Sequence, residues 1–202
     1  MTTAFSFVFP FFLVMVLCQS ALSLLGKSAA GSGRTAVIGI GAAFAVVLPM
    51  GGLPIGRWLV SLQADASIPL IALVLSRVLE NAFQRPVLDR KAKTACRIFS
   101  VLGGVLLYPM ALGLGAFDPY EAGWRFSWLF VLLLAVTLGL LFLKNRFFMV
   151  LLAAISAYDF HVLESGNLWN YLLDPVLVVL SMGQLGVQFF SWSIRMIRRG
   201  SG

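Results

Sequence analysis

Apolar stretches of roughly 20 residues follow one another along almost the whole chain, and each is long enough to cross a bilayer as an α-helix. Of the 202 residues, 60% are hydrophobic and only 11% are charged, whereas about a quarter of the residues in soluble domains are charged. Inside a bilayer every backbone amide and carbonyl group must be paired within the protein, so only helices or a closed barrel can form. Because the stretches do not alternate as barrel strands do, the sequence predicts an all-α integral membrane protein.

The predicted architecture is a single transmembrane domain, residues 1–202, built as a bundle of about seven helices. The predicted spans are residues 4–25, 35–54, 68–83, 98–117, 126–143, 147–158 and 176–197. The third and sixth spans are short, so six spans is the alternative. Two short amphipathic segments, around Trp58 and Trp169, predict interfacial helices on the outer face of the membrane.

The basic residues predict the orientation of the chain. Seven spans place twelve of the fifteen Lys and Arg residues on one side, namely Lys27, Arg34, Arg85, Arg90, Lys91, Lys93, Arg97, Lys144, Arg146, Arg195, Arg198 and Arg199. Because basic loops face the cytoplasm, the C-terminus is predicted to be cytoplasmic and the N-terminus to lie outside a bacterial inner membrane. The net charge of +7 is divided among short loops, so no nucleic-acid partner is expected.

The segment 159–175 holds the only histidine and three of the eight acidic residues. On a helix, His161 and Glu164 would share a face, with Asp159 nearby, and could transfer protons or bind a metal. A zinc site requires at least three protein ligands, so the metal and any cofactor stay unknown. The structural alternative is a solvated polar helix end. Asp174 and Pro175 are predicted to be the N-cap and first residue of the last span.

Aromatic and polar side chains near the predicted outer surface are candidates for contact with lipid or with a lipid-linked substrate. They are Arg57 and Trp58 in the first interfacial segment, and Trp169, Asn170 and Tyr171 in the second. Both segments could instead only seat the bundle among the lipid headgroups.

Arg77 lies inside the third predicted span, three residues before Glu80. This spacing predicts an ion pair, with the arginine side chain reaching toward the membrane surface. The alternative is an arginine that binds a lipid phosphate.

Ser181, Gln184 and Gln188 form a polar stripe along the last span. Such a stripe must face protein or water, so it predicts hydrogen bonds between helices and, as the alternative, a conduit. Gln19, Ser20 and Ser23 in the first span are candidate partners of the stripe.

The chain carries no phosphate-binding loop, nucleophile elbow or zinc-protease motif. We therefore expect a non-catalytic accessory subunit of a larger membrane or cell-envelope complex, with membrane lipids and another membrane protein as partners. One alternative is a membrane enzyme that acts on a lipid-linked substrate at the outer leaflet through His161 and Glu164. A further alternative is a small transporter or channel, so whether the protein is an enzyme stays open.

Overall fold

The computed structural model describes residues 5–63, 65–115 and 117–200, and the protein is 73% helical. The prediction of an all-α protein is therefore confirmed. Residues 1–4, Ser201, Gly202 and the side chains of Arg195, Arg198 and Arg199, three of the basic residues in the charge count, lie outside the described part of the chain.

The chain is a succession of helices joined by short connections. In order, the described elements are α1 (Val8–Leu24), α2 (Ser32–Val47), β1 (Pro49–Met50), β2 (Leu53–Pro54), α3 (Ile55–Leu62), α4 (Ile68–Phe83), α5 (Arg90–Ala111), a 3₁₀-helix η1 (Pro119–Gly123), α6 (Trp128–Phe142), α7 (Phe147–Asp159), α8 (Leu168–Leu172) and α9 (Pro175–Gly200).

Two of the described helices are long and apolar enough to cross a membrane, namely α5 and the Pro175–Ile194 portion of α9. The other five predicted spans form helices of 13 to 17 residues. A helix rises about 1.5 Å per residue, so these helices are roughly 20 to 25 Å long, whereas the hydrocarbon layer is about 30 Å thick. Helix length alone therefore does not confirm seven complete spans.

The second helix ends earlier than the predicted span, and the chain then reverses in a tight hairpin. Strands β1 and β2 pair antiparallel across Gly51 and Gly52, whose φ angles are 63° and 87°. Both angles are positive, a conformation that glycine adopts without steric cost. The hairpin directs α3 back against α1 and α2, where a Cβ on Gly56 would lie 2.6 Å from side-chain atoms of Phe7 and Val46.

Two glycines on α5 let that helix pack closely against the end of α8 and the start of α9. A Cβ on Gly103 would lie 2.7 Å from Leu173, and a Cβ on Gly104 would lie 2.6 Å from Val178. This is the close helix approach that small residues permit in membrane proteins.

The largest hydrophobic core lies among α4 to α8 and includes every residue of α8 except Asn170. Leu168, Tyr171 and Leu172 are fully buried, and Trp169 is 5% exposed. This segment, which the sequence predicts to be an interfacial helix, is therefore packed inside the protein. The segment is amphipathic in sequence, but its polar atoms are satisfied by other parts of the protein. The other predicted interfacial segment does form a helix, α3, which leaves Trp58 exposed.

Candidate functional site

The only histidine lies in a turn and not on a helix. Helix α7 ends at Asp159, and His161 has a φ of 50° in the left-handed region. Its ring is exposed, stacks on Tyr158, and places Nδ1 3.0 Å from the Asp159 carbonyl oxygen. The helical spacing that would put His161 and Glu164 on one face therefore does not apply.

Glu164 lies instead beside a small cavity of about 80 Å³ that Arg57 and Asp65 also line. Burial raises the pKa of the Asp65 carboxyl, and the nearby Glu164 carboxylate adds to this effect against an opposing hydrogen bond from the Glu164 backbone. Within the described residues, no group of three or more His, Cys, Asp or Glu side chains is arranged to hold a metal ion.

Asn167 and several of the predicted contact residues hold loops of the protein together. Asn167 donates from Nδ2 to the Tyr120 carbonyl oxygen (2.9 Å) and accepts from the Trp169 backbone N–H (2.9 Å). The Trp169 indole donates to the Pro119 carbonyl oxygen at 2.8 Å. These bonds join α8 to η1 across about fifty residues of sequence.

Tyr171 and Asn170 complete this network. The Tyr171 hydroxyl accepts from the Leu163 backbone N–H (3.1 Å) and donates to the Leu163 carbonyl oxygen (3.3 Å). Asn170, which is half-buried, accepts from the Tyr120 hydroxyl and donates to Ser165 Oγ. Trp169 and Tyr171, which are predicted to contact lipid or a lipid-linked substrate, are both buried against protein.

Asp174 caps α9, as predicted, and also joins that helix to α4. Its Oδ1 accepts from the Leu177 N–H at 2.8 Å, and its Oδ2 accepts from Ser67 N–H (3.1 Å) and Ser67 Oγ (2.5 Å). Ser67 in turn caps α4 through a hydrogen bond from Leu70 N–H. Two helix N-termini therefore share one buried carboxyl, and burial raises the pKa of Asp174 against the opposing effect of these hydrogen bonds.

On α3, Arg57 and Trp58 are both exposed. The Arg57 guanidinium lies 6.0 Å from the centre of the Phe7 ring, and the Trp58 indole donates to the Met50 carbonyl oxygen at 2.8 Å. These two residues stay available to an external ligand, unlike the buried residues of α8.

The predicted ion pair of α4 is confirmed, and it includes a third residue. Arg77 Nη1 lies 3.9 Å from Glu80 Oε2, while Lys93 Nζ on α5 lies only 2.6 Å from the same oxygen. Lys93 is therefore the main partner of Glu80. The Arg77 side chain is 60% exposed and stays accessible.

Arg77 and the polar stripe of α9 line the same groove. This basic groove lies between α1, α4, α5 and α9 and has a volume of about 640 Å³. Its polar lining consists of Arg77, Lys93, Arg97, Ser181, Gln184 and Gln188. Its remaining walls are mainly leucine and valine side chains from three of the helices. None of the described residues that line it is acidic.

Sequence reasoning missed Lys93 and Arg97 as members of this site. In the sequence both residues indicate only a cytoplasmic loop, but in the structure they lie in the first two turns of α5. Three buried polar side-chain atoms in the described part of the chain lack a hydrogen-bond partner, namely Arg97 Nε, Tyr108 Oη and Thr137 Oγ1. Only the first belongs to a charged side chain, and that side chain lines the groove.

Gln19, a predicted partner of the polar stripe on α9, forms its hydrogen bonds with α4 instead. Its side chain is buried, donates to the Val78 carbonyl oxygen at 3.3 Å and accepts from Asn81 Nδ2 at 3.1 Å, so its partners lie on α4. Within the described part of the chain, Gln184 and Gln188 make no hydrogen bond through their side chains. The amide groups of the stripe therefore face the groove without a protein partner.

Comparison with known proteins gives no assignment: the chain matches no protein-family model, no curated protein and no solved structure.

Proposed function

We propose that this chain is an integral membrane protein of a bacterial inner membrane and a non-catalytic accessory subunit of a larger membrane or cell-envelope complex. Its partners in this proposal are membrane lipids and another membrane protein. The observation that carries the proposal is the face of α9 that points away from the bundle, formed by Val179, Met182, Gly186, Phe189 and Phe190, which packs against no other helix of this chain in the described structure.

The exposed apolar surface supports the membrane placement. Only 22% of the apolar window of α5 and 17% of that of α9 are buried, whereas the core helix of a soluble protein is mostly buried. Large side chains such as Phe126 and Phe142 are more than four-fifths exposed. In water, such continuous apolar surface promotes aggregation, whereas lipid covers it without cost.

The proposed topology has about seven spans, with the N-terminus outside and the C-terminus in the cytoplasm. The helices of 13 to 17 residues would span by local thinning of the bilayer and by side chains that reach from their ends to the headgroups. The basic ends of α4 and α5, which meet at the Glu80–Lys93 ion pair, then face the cytoplasm.

The outer face of α9 offers a surface for a partner helix. Beyond Ser181, every α9 side chain that the structure describes is exposed or half-buried. Val179, Met182, Phe189 and Phe190 are each at least half exposed on this face. A Cβ on Gly186 would meet nothing within 4 Å. Glycine on a membrane helix lets a second backbone approach closely, so this face suits a protein helix better than acyl chains alone.

The test is a mild-detergent affinity purification from the native cells, with native gels and mass spectrometry of co-purifying proteins. We expect one reproducible, stoichiometric membrane-protein partner, lost on Gly186→Leu and retained on Val179→Leu. Val179→Leu adds volume on the same face but does not fill the space that Gly186 leaves open. The Gly186→Leu chain keeps its own fold because the position is open. A monomeric wild-type protein without a partner contradicts the proposal.

The enzyme hypothesis keeps one observation in its favour, the small cavity at which Glu164 meets Arg57 and Asp65. In that proposal the exposed His161 and Glu164 act on a lipid-linked substrate at the outer leaflet. His161→Ala should then abolish function in cells while the amount of folded protein stays constant. Unchanged function in that variant rejects catalysis by the histidine.

A further inference from the structure

We propose that the basic groove between α1, α4, α5 and α9 binds a phosphate-bearing anionic lipid. The phosphate lies against Lys93, Arg97 and Arg77, and an acyl chain lies along the leucine and valine walls toward Ser181. The inference rests on the membrane placement proposed above and not on the existence of a protein partner.

The charge at the basic end of the groove requires an anion. Three cationic side chains line this end, and the only carboxylate that pairs with them in the described structure is that of Glu80. Glu80 compensates one of the three, chiefly Lys93 at 2.6 Å. Two positive charges therefore stay uncompensated next to an apolar wall, where charges are poorly screened.

Among the three cations, Arg97 has the clearest unsatisfied hydrogen-bonding group. Its Nε is buried and has no hydrogen-bond partner. A buried polar group without a partner is destabilising, and more so when it is charged. A phosphate group would supply the missing hydrogen-bond acceptor and also compensate the positive charge, since guanidinium and phosphate form paired, charge-assisted hydrogen bonds.

The remainder of the groove matches the rest of a lipid molecule. Gln184 and Gln188 lie at about the level of the cations, because Ser67 and Asp174 align the starts of α4 and α9 and Arg77 and Gln184 follow them at the same spacing. Their amide groups offer further donors to the headgroup. Further along, the lining is apolar, with Leu70, Leu73 and Leu177 from α4 and α9. A ligand with one anionic end and a long apolar tail therefore fits this order of side chains.

The lining of the groove favours lipid over an acidic partner helix. Its cations lie at one end, and its remaining walls are mainly leucine and valine side chains. A headgroup can bind the cations while one acyl chain lies along the apolar walls and leaves through the open side into the surrounding lipid.

The test is a native mass spectrometry titration of the full chain in detergent with phosphatidylglycerol and, separately, with phosphatidylcholine. We expect the anionic lipid to bind more tightly, and Arg97→Gln to weaken it about tenfold, as expected for loss of one hydrogen bond between charged groups. Lys91→Gln is the matched control, because it removes a basic residue of α5 that does not line the groove. Arg77→Gln, at an exposed side chain, is the second variant if Arg97→Gln does not fold.

Three results would overturn this inference. One is equal affinity for the two lipids, and another is equal loss of binding in Arg97→Gln and Lys91→Gln. The third is displacement of the lipid by excess inorganic phosphate alone, which would identify the ligand as a free anion. Phosphatidylglycerol should also raise the unfolding temperature of the wild type more than that of Arg97→Gln.

A photoreactive amino acid distinguishes the possible occupants and separates this inference from the proposed function. Placed at Gln184 it should capture lipid, and placed at Val179, which is exposed on the proposed partner face, it should capture the partner protein. A polypeptide captured at Gln184 identifies the groove as a protein-binding surface and rejects the lipid site. Absence of any product at Val179, with lipid still captured at Gln184, rejects the accessory-subunit proposal alone.

Discussion

The carboxyl shared by two helix N-termini gives the sharpest test of what holds this bundle together. Asp174→Ala removes the acceptor for three donors, which are Leu177 N–H, Ser67 N–H and Ser67 Oγ. Both Asp174 and Ser67 are buried, so water does not replace the lost partner. The substitution therefore affects the starts of α4 and α9 together.

The magnitude follows from the groups left unsatisfied. Loss of an N-cap costs about 1 kcal/mol, and each buried donor left without a partner costs about 1–3 kcal/mol. The Ser67 hydroxyl can rotate to a new acceptor, so the two backbone N–H groups dominate. We expect Asp174→Ala to lower the free energy of unfolding by about 3 kcal/mol. Ser67→Ala leaves the carboxyl bonded to both backbone groups and should cost about 1 kcal/mol.

The assay is reversible unfolding in mixed micelles, followed by circular dichroism, for the wild type, both single variants and the double variant. Because Ser67 and Asp174 are in direct contact, their effects should not add, and a coupling of about 1 kcal/mol or more is expected. If the effects of the two substitutions add within about 0.5 kcal/mol, or if Asp174→Ala unfolds like the wild type, the shared cap does not join the two helices.

Three further predictions concern the same end of the molecule. Gly123→Ala should destabilise the fold by about 2 kcal/mol, because the new Cβ would overlap Asn167 Oδ1; near-wild-type unfolding would contradict that packing. Tyr171→Phe should cost about 1–2 kcal/mol, since the buried Leu163 N–H loses its acceptor; the same unfolding measurement checks it. The Asp174 pKa is raised above the ordinary aspartate value of 3.8, so the folded state binds this proton more tightly than the unfolded state does. The stability of the wild type relative to Asp174→Asn should therefore fall as pH rises through the interval between 3.8 and the raised value. An unchanged difference between the two proteins across acidic pH would contradict the shift.

The sequence predicted helices well where local signals set their ends. The third predicted span, 68–83, coincides with α4, since Ser67 caps it and Gln84 ends it in the left-handed conformation. Asp174 and Pro175 likewise mark the start of α9. In each case residues within a few positions of the boundary supply the hydrogen bonds that define it.

The sequence did not predict which segments are buried or which helices contact one another, because both depend on residues far away in the sequence. The α8 segment is amphipathic in composition, but the Trp169 indole finds the Pro119 carbonyl oxygen fifty residues away and the segment becomes buried. Gln19 had candidate partners on more than one helix, and only the packing of α1 against α4 selects Val78 and Asn81. Sequence spacing places side chains on a face of a helix but does not show which helix lies opposite.

The same limit explains why the candidate site lies at the other end of the bundle from where the sequence suggested. The segment with the histidine is rich in polar residues, but Asn167, Trp169 and Tyr171 are satisfied by backbone groups of the protein. The basic residues of α5 read as a simple topological marker, yet Arg97 Nε is buried without a partner. A polar group that already has its partners stabilises the fold and needs no ligand, whereas a half-buried cation whose buried Nε lacks a partner is stabilised by binding an anion. A ligand is therefore expected at the groove of α5 and α9, and the polar end of α8 is expected to contribute stability.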